Sequence, residues 1–162
     1  MSNKPQVILV PLEPNDKEQF ILDNQWAFKY GATEEFGMRD DHFEEDGEII
    51  SRDTIEQSIK EGEAYRIILD EQKVGGLVIR TEGEHGELDL LFVSPKTHSK
   101  GIGYAAWCAV ERMHPEVQVW ETCTPYFEKR NIHFYVNKCG FHIVEFLRED
   151  DEMFRFEKVI RQ

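Results

Sequence analysis

The residues whose type and spacing bear most directly on chemistry lie in LDLLFVSPKTHSKGIGYAAWCAV, residues 88–110, where an apolar strand-like run enters a glycine-bearing turn and then a helix. Gly101 and Gly103 carry no Cβ, so the backbone there can approach a bulky anion, and the unpaired N–H groups at the helix start point toward it. That combination suits a phosphate. A Walker A loop requires G-x-x-x-x-G-K-[ST] and a dinucleotide loop G-x-G-x-x-G; neither spelling occurs, so those two nucleotide classes are set aside.

Other reactive side chains are less organised. Cys108, Cys123 and Cys139 are odd in number, lie far apart and form no C-x-x-C pair, which argues against a disulfide framework and a zinc knuckle. They are expected to be buried free thiols. His85-Gly86-Glu87 has the spelling of half a zinc-deaminase motif, but the P-C-x-x-C half is missing. His42, His114, His133 and His142 have no ligand spacing, so no metal is expected. Cys123 has no histidine or basic cluster fixed beside it, which speaks against an acyl-enzyme. Trp26, Trp107 and Trp120 are expected in the core.

The elements that must position the turn can be read from periodicity. QVILV at 6–10 predicts a strand ended by Pro11. Asn15 is expected to cap a helix that carries Phe20, Ile21, Asn24 and Phe28 to about Tyr30, stopped by Gly31. Ser51 is expected to cap a second helix, with Ile55 and Ile59 on one face and an end near Gly62. Residues 64–70, 73–81 and 86–93 then predict an antiparallel meander. A helix follows, with Ala105, Ala109, Val110 and Met113 at helical spacing before Pro115. VQVWETC predicts another strand, 125–138 a last helix stopped by Gly140, and FHIVEFL with EMFRFEKVI a closing hairpin around Glu149–Glu152. The predicted class is α/β, with a mixed and largely antiparallel sheet flanked by helices.

The chain has 162 residues, 40% hydrophobic and 31% charged, which suits one domain with a real core. Its formal charge of −13 opposes nucleic acid and anionic lipid and attracts cations. No stretch approaches the ~20 apolar residues of a membrane span, and no secretory signal is legible, so a cytoplasmic protein is expected. Residues 1–63 hold 16 acids against 6 bases, whereas 64–162 hold 16 against 13. The excess centres on EEFGMRDDHFEEDGE, residues 34–48, readable either as a solvated acidic loop or as an electrostatic funnel for an amine.

The glycine turn in its strand–loop–helix setting resembles the GNAT N-acetyltransferase family. That family's pyrophosphate loop reads Arg/Gln-x-x-Gly-x-Gly/Ala after a Val-x-Pro-like strand end. Here Val93-Ser94-Pro95 is followed by His98-Ser99-Lys100-Gly101-Ile102-Gly103, with His98 in the Arg/Gln position. VQVWETCTPYFEKRNIHFYVNKCGFHIVEF resembles the family's next block, a strand and then a helix holding Asn and Tyr and ending at Gly-Phe. In many members Tyr precedes that Gly by four residues and Asn by eleven; here Tyr135 precedes Gly140 by five and Asn131 by nine, and Val136 fills the usual Tyr slot.

The resemblance implies a single N-acetyltransferase domain over 1–162. Its acetyl-CoA-binding core would span about 87–141, with acceptor-side helices and the acidic loop at about 13–63. It implies direct transfer of acetyl from acetyl-CoA to an amine, without a metal. Val93, His98, Ser99, Lys100, Gly101, Ile102, Gly103, Tyr104 and Asn131 would hold the cofactor, the strand end near Val93 donating a backbone N–H to the thioester carbonyl. Glu87 falls where some members carry a carboxylate base, with Asp89 on the same strand face and Glu121 on the next strand as alternatives; each of these also reads as a solvent-facing acid. Tyr135 reads as proton donor to the CoA thiolate or as a core aromatic. The acceptor is expected to be a cationic amine, small or peptidic, and family habit allows a homodimer. The rival expectation is a non-catalytic CoA-binding or interaction module on the same fold.

Overall fold

Short apolar, β-branched runs between 63 and 93, separated by the polar DEQK and TEGEHG segments, favour three antiparallel strands joined by tight turns. The computed structural model, which describes residues 6–30, 48–97, 101–148 and 152–160, has them as β2 (Glu63–Leu69), β3 (Gln72–Glu82) and β4 (His85–Val93). Ahead of them come β1 (Ile8–Pro11), α1 (Lys17–Lys29) and α2 (Arg52–Glu61). After them come α3 (Ile102–Met113), β5 (Val119–Pro125), α4 (Lys129–His133) with a π-helical turn over Phe134–Lys138, β6 (His142–Leu147) and β7 (Met153–Val159). The seven strands form one sheet in the order β1-β2-β3-β4-β5-β7-β6. Every neighbouring pair is antiparallel except β4 with β5. The mixed, largely antiparallel sheet expected from the sequence is therefore present.

That single parallel pair is short. His85–Leu88 pair with Val119–Thr122, and beyond those residues β4 continues only with β3, and β5 only with β7. The sheet thus forks at Leu88 and Thr122. A bulge lies beside the fork: Val78 faces Leu90 while Ile79 faces Leu88, so Asp89 is the extra residue of β4. The bulge sends Leu88 and Leu90 to opposite faces. Leu88 joins the core under α3, with Trp107, Trp120 and Phe141, while Leu90 and Phe92 join a second core under α1 and α2, with Phe20, Ile21 and Ile55.

Three local expectations are corrected. Asn15 lies in a 3₁₀ turn, Pro14–Asp16, and Asp16 stands at the cap position of α1 without a capping bond. Its carboxylate is engaged by Arg66 instead, at 2.7 Å. The buried face of α3 is Ile102, Ala106, Trp107 and Val110, with Met113 exposed. Trp26 is 43% exposed, its ring beneath Lys96 at 6.0 Å, whereas Trp107 and Trp120 are fully buried. Ser51 does cap α2, accepting from the Thr54 N–H at 3.1 Å. The acidic stretch 34–48, apart from Glu48, lies outside the described residues, as do His98, Ser99 and Lys100. Of the cysteines only Cys139 is buried; Cys108 and Cys123 are half-buried, and all three are free.

α1 is fastened to the sheet by a buried ion pair. Arg66, 3% exposed, reaches Asp16 at 2.7 Å and Asp23 at 3.0 Å. Burial opposes ionisation of Asp16, but hydrogen bonds from Arg66 and Lys73 and the charges of both outweigh it, holding the carboxyl below its usual range. Among the described residues no helix is long and apolar enough to cross a membrane.

Candidate active site

At the apex of the fork the Thr122 hydroxyl donates to the Leu88 carbonyl at 2.8 Å, bridging the two strands where their backbone ladder stops. Tyr135 lies beside this bridge, its phenol near Thr122 and its ring among Phe134, Phe141 and Phe156. It is 7% exposed, and burial pushes its pKa up, so the phenol stays protonated at neutral pH. Tyr135 is thus part of the core and also lines a cleft.

The spacing of Tyr135 from Gly140 has a structural cause. The Cys139 N–H bonds to the Phe134 carbonyl, an i to i−5 link, so the helix carries one extra residue as a π turn. The Phe141 N–H then closes on the Tyr135 carbonyl at 2.9 Å, and Gly140 supplies the left-handed exit at φ 87°. With the extra residue discounted, Tyr135 stands four residues before the glycine. The position eleven before it is then Glu128, with Asn131 one helical turn further on.

A cleft of about 620 Å³ runs through the fork. On the α3 side Gly101, Ile102, Gly103 and Tyr104 line it, with Val93 at the end of β4. Gly101 occupies the N-cap of α3 at φ 75°, a left-handed conformation that glycine adopts without strain. A Cβ on Gly103 would come within 3.3 Å of the Phe134 ring, so its absence sets how closely α3 and the π turn approach. The opposite wall is formed by Glu128, Asn131, Phe134 and Tyr135. On the far face of the sheet the cleft is bounded by Ala27 and Phe28 of α1 and by Tyr30 at its C-cap.

The sequence-predicted carboxylates lie outside that lining, on the face of the sheet that carries α1 and α2. Glu87 and Asp89 do share a side, despite the bulge, because both meet Arg80, at 3.0 and 3.1 Å. Arg80 also takes Glu61 of α2 at 3.0 Å, and Ser58 of α2 donates to Asp89. Glu121 pairs instead with His85 at 3.2 Å and Arg155 at 3.7 Å. Between these groups sits Cys123; burial first, and then the charges of Glu121 and Glu87, raise its thiol to about 11, so it is protonated at neutral pH and unsuited to nucleophilic attack. Among the described residues no group of His, Cys, Asp and Glu has the arrangement to hold a metal ion.

Glu128 was missed in the sequence. It starts α4, lines the cleft and accepts from the Asn131 amide at 3.3 Å. Burial raises its pKa, with the Arg130 charge pulling the other way. The signal available for it was the nonstandard spacing before Gly140. Ala27 and Phe28 of α1, and Tyr30 at its C-cap, were missed as lining because their helical pattern reads only as core.

This forked sheet, with a glycine-started helix on one side of the fork and an aromatic-bearing helix on the other, is the architecture of an acyl-CoA N-acyltransferase. The chain belongs to the GNAT acetyltransferase family, whose model matches residues 21–141. It is 42% identical to the uncharacterized protein YrkN of Bacillus subtilis (strain 168), over 99% of this chain and 97% of that protein. Its fold is similar to that of the PaiA N-acetyltransferase of Thermoplasma acidophilum, solved in complex with coenzyme A (TM-score 0.69, 19% identity, 99% of this chain and 100% of that one). It is also similar to the ribosomal-protein-S18-alanine N-acetyltransferase of Escherichia coli (TM-score 0.71, 12% identity, 97% of this chain and 96% of that one).

Proposed function

We propose that this acetyltransferase moves acetyl from acetyl-CoA directly to the primary amine of a cationic acceptor, the donor entering from the α3 and α4 side of the fork and the acceptor from the α1 and α2 side. The observation that carries the reading is the cleft itself, which passes through the fork and is lined from both faces. CoA fits the residues present: a left-handed glycine opens α3, Gly103 leaves room where a side chain would meet Phe134, and β4 beyond Leu88 has no strand on its β5 side. The bound thioester supplies an activated acetyl carbon.

In this reading Gly101, Ile102, Gly103 and Tyr104, with His98, Ser99 and Lys100 of the loop, take the diphosphate, Val93 the thioester carbonyl, and Asn131 the arm between. Glu87 receives the proton of the incoming ammonium, directly or through one water. Arg80 bridges Glu87 and Asp89, and the surplus of acids over this one base gives a setting that favours a cation. Glu121, tied to His85 and Arg155, is the alternative base. Tyr135 acts on the departing sulfur. An ordinary phenol, at a pKa of ~10, is already a weaker acid than an ordinary thiol at ~8.5. With its pKa raised further, Tyr135 serves the thiolate by donating a hydrogen bond while keeping its proton.

The test is release of free CoA thiol from acetyl-CoA over a panel of polyamines, aminoglycosides, basic peptides and neutral amines, at two salt concentrations. Cationic acceptors should react fastest and lose rate as salt rises. Neutral amines outpacing them without a salt effect would overturn the acceptor assignment, and no thiol release from any acceptor would overturn the reaction.

A further inference from the structure

The acids of this chain are unevenly distributed in a way that maps onto the cleft. The two longest stretches without Asp or Glu are residues 90–110 and 129–144, and between them they carry Lys96, Lys100, Lys129, Arg130 and Lys138. The first stretch contains the glycine turn and α3 as far as Val110, short of Glu111; the second contains α4 and its π turn. In a protein of formal charge −13, Glu128 is thus the one acid among the described residues that line this cleft. Such local reversal of sign is what an anionic ligand requires against an opposing overall field.

The glycine turn accounts for only part of the ligand's charge. CoA carries a diphosphate and a 3′-phosphomonoester, and the latter alone holds about −1.5 to −2 at neutral pH. The face that α4 and the π turn present to the cleft includes Arg130, His133, Phe134, Asn137 and Lys138, residues three, four, seven and eight apart. Phe134 is the residue that the Gly103 position approaches at 3.3 Å, so Arg130 and Lys138, one turn to either side, flank the glycine turn across the cleft. His133 is prepared as a donor. Its Nδ1 lies 2.6 Å from the Asn137 amide nitrogen, which donates, so in the neutral ring the proton sits on Nε2.

From this geometry we propose that Arg130, His133 and Lys138 form a phosphomonoester subsite that reads the 3′-phosphate and selects CoA over its dephospho form. The assignment rests on the acetyl-CoA reading above and adds a specificity determinant to it. It is tested by calorimetric titration of the full chain with CoA and, separately, with dephospho-CoA at low and moderate salt. The wild-type protein should bind CoA at least about tenfold more tightly, a difference of about 1.4 kcal/mol, and the preference should shrink with salt. An Arg130→Gln, Lys138→Gln double variant with an unchanged melting curve should bring the ratio below about threefold by weakening CoA alone, since each lost charge-assisted contact acts only where the phosphate is present. Equal affinity of the wild type for the two ligands overturns the subsite while leaving the acetyl-CoA reading intact. So does a variant that weakens both ligands equally. Binding of neither ligand overturns the acetyl-CoA reading and the subsite with it.

Discussion

The two sides of the fork differ in how they treat charge. Toward α3 and α4 the cleft walls carry bases and main-chain N–H groups, with Glu128, half-buried and raised in pKa, as the one acid among the described lining residues. Toward α2 the sheet face carries Glu87, Asp89 and Glu121, with Glu61 at the end of α2 above it, tied to Arg80, His85 and Arg155. Under the proposed reading, a donor with several phosphoryl charges and a cationic acceptor would be offered opposite fields and would meet at the strand gap. The lesson is that net charge describes neither side: a formal −13 hides a basic wall.

The comparison can be broken most severely on the acidic side. Glu87→Gln should lower kcat by about 10²-fold or more, the range lost with a general base, while leaving CoA affinity unchanged in calorimetry. If Glu121→Gln has that effect and Glu87→Gln does not, the base lies on β5. Next in size is the clamp that holds α1 to the sheet. Asp16→Asn should cost about 3 kcal/mol in denaturant unfolding, the scale of breaking a buried pair while Arg66 stays buried. Because the Asp16 pKa is lowered on folding, its contribution is present above the unfolded value near 3.8 and is lost as pH falls through the lower folded one; wild-type stability should therefore drop there and the variant's should drop less.

Smaller effects sharpen the basic side. Gly101→Ala places a Cβ at φ 75°, a strain of about 1–2 kcal/mol, and should raise the KM for acetyl-CoA about tenfold with little change in kcat. Tyr135→Phe should do the reverse, lowering kcat about five- to tenfold at unchanged CoA affinity, as loss of one hydrogen bond to a developing thiolate predicts. A rise in KM for Tyr135→Phe with kcat intact would make it a packing residue only.

Much of the frame was legible in the residues because apolar runs bounded by turn residues, and helical spacing, survive folding directly. The meander of 63–93, the helix after Gly103 and the closing strands follow from such patterns. The fork was not legible, since nothing in LDLLFV says that β5 leaves β4 after Leu88. Nor was the Arg80 bridge, which depends on cross-strand register and on the bulge at Asp89. The π turn left only a trace, one residue too many between Tyr135 and Gly140, because an inserted residue in a helix has no composition of its own. That same residue moves the position eleven before Gly140 from Glu128 to Lys129, so Asn131 stands out by its residue type alone. Trp26 was misread because a helix pattern identifies a stripe but not how far the neighbouring segment covers it.

The central claim, that transfer takes place at the gap between β4 and β5, is tested most directly by a crystal structure with CoA bound. The account predicts the sulfur in the fork beside the Leu88–Thr122 bridge, within hydrogen-bond reach of the Tyr135 phenol at ~3.2 Å, with the diphosphate on the N–H groups of Gly101–Gly103. A sulfur lodged away from the fork, or a coenzyme bound outside the cleft, would contradict it.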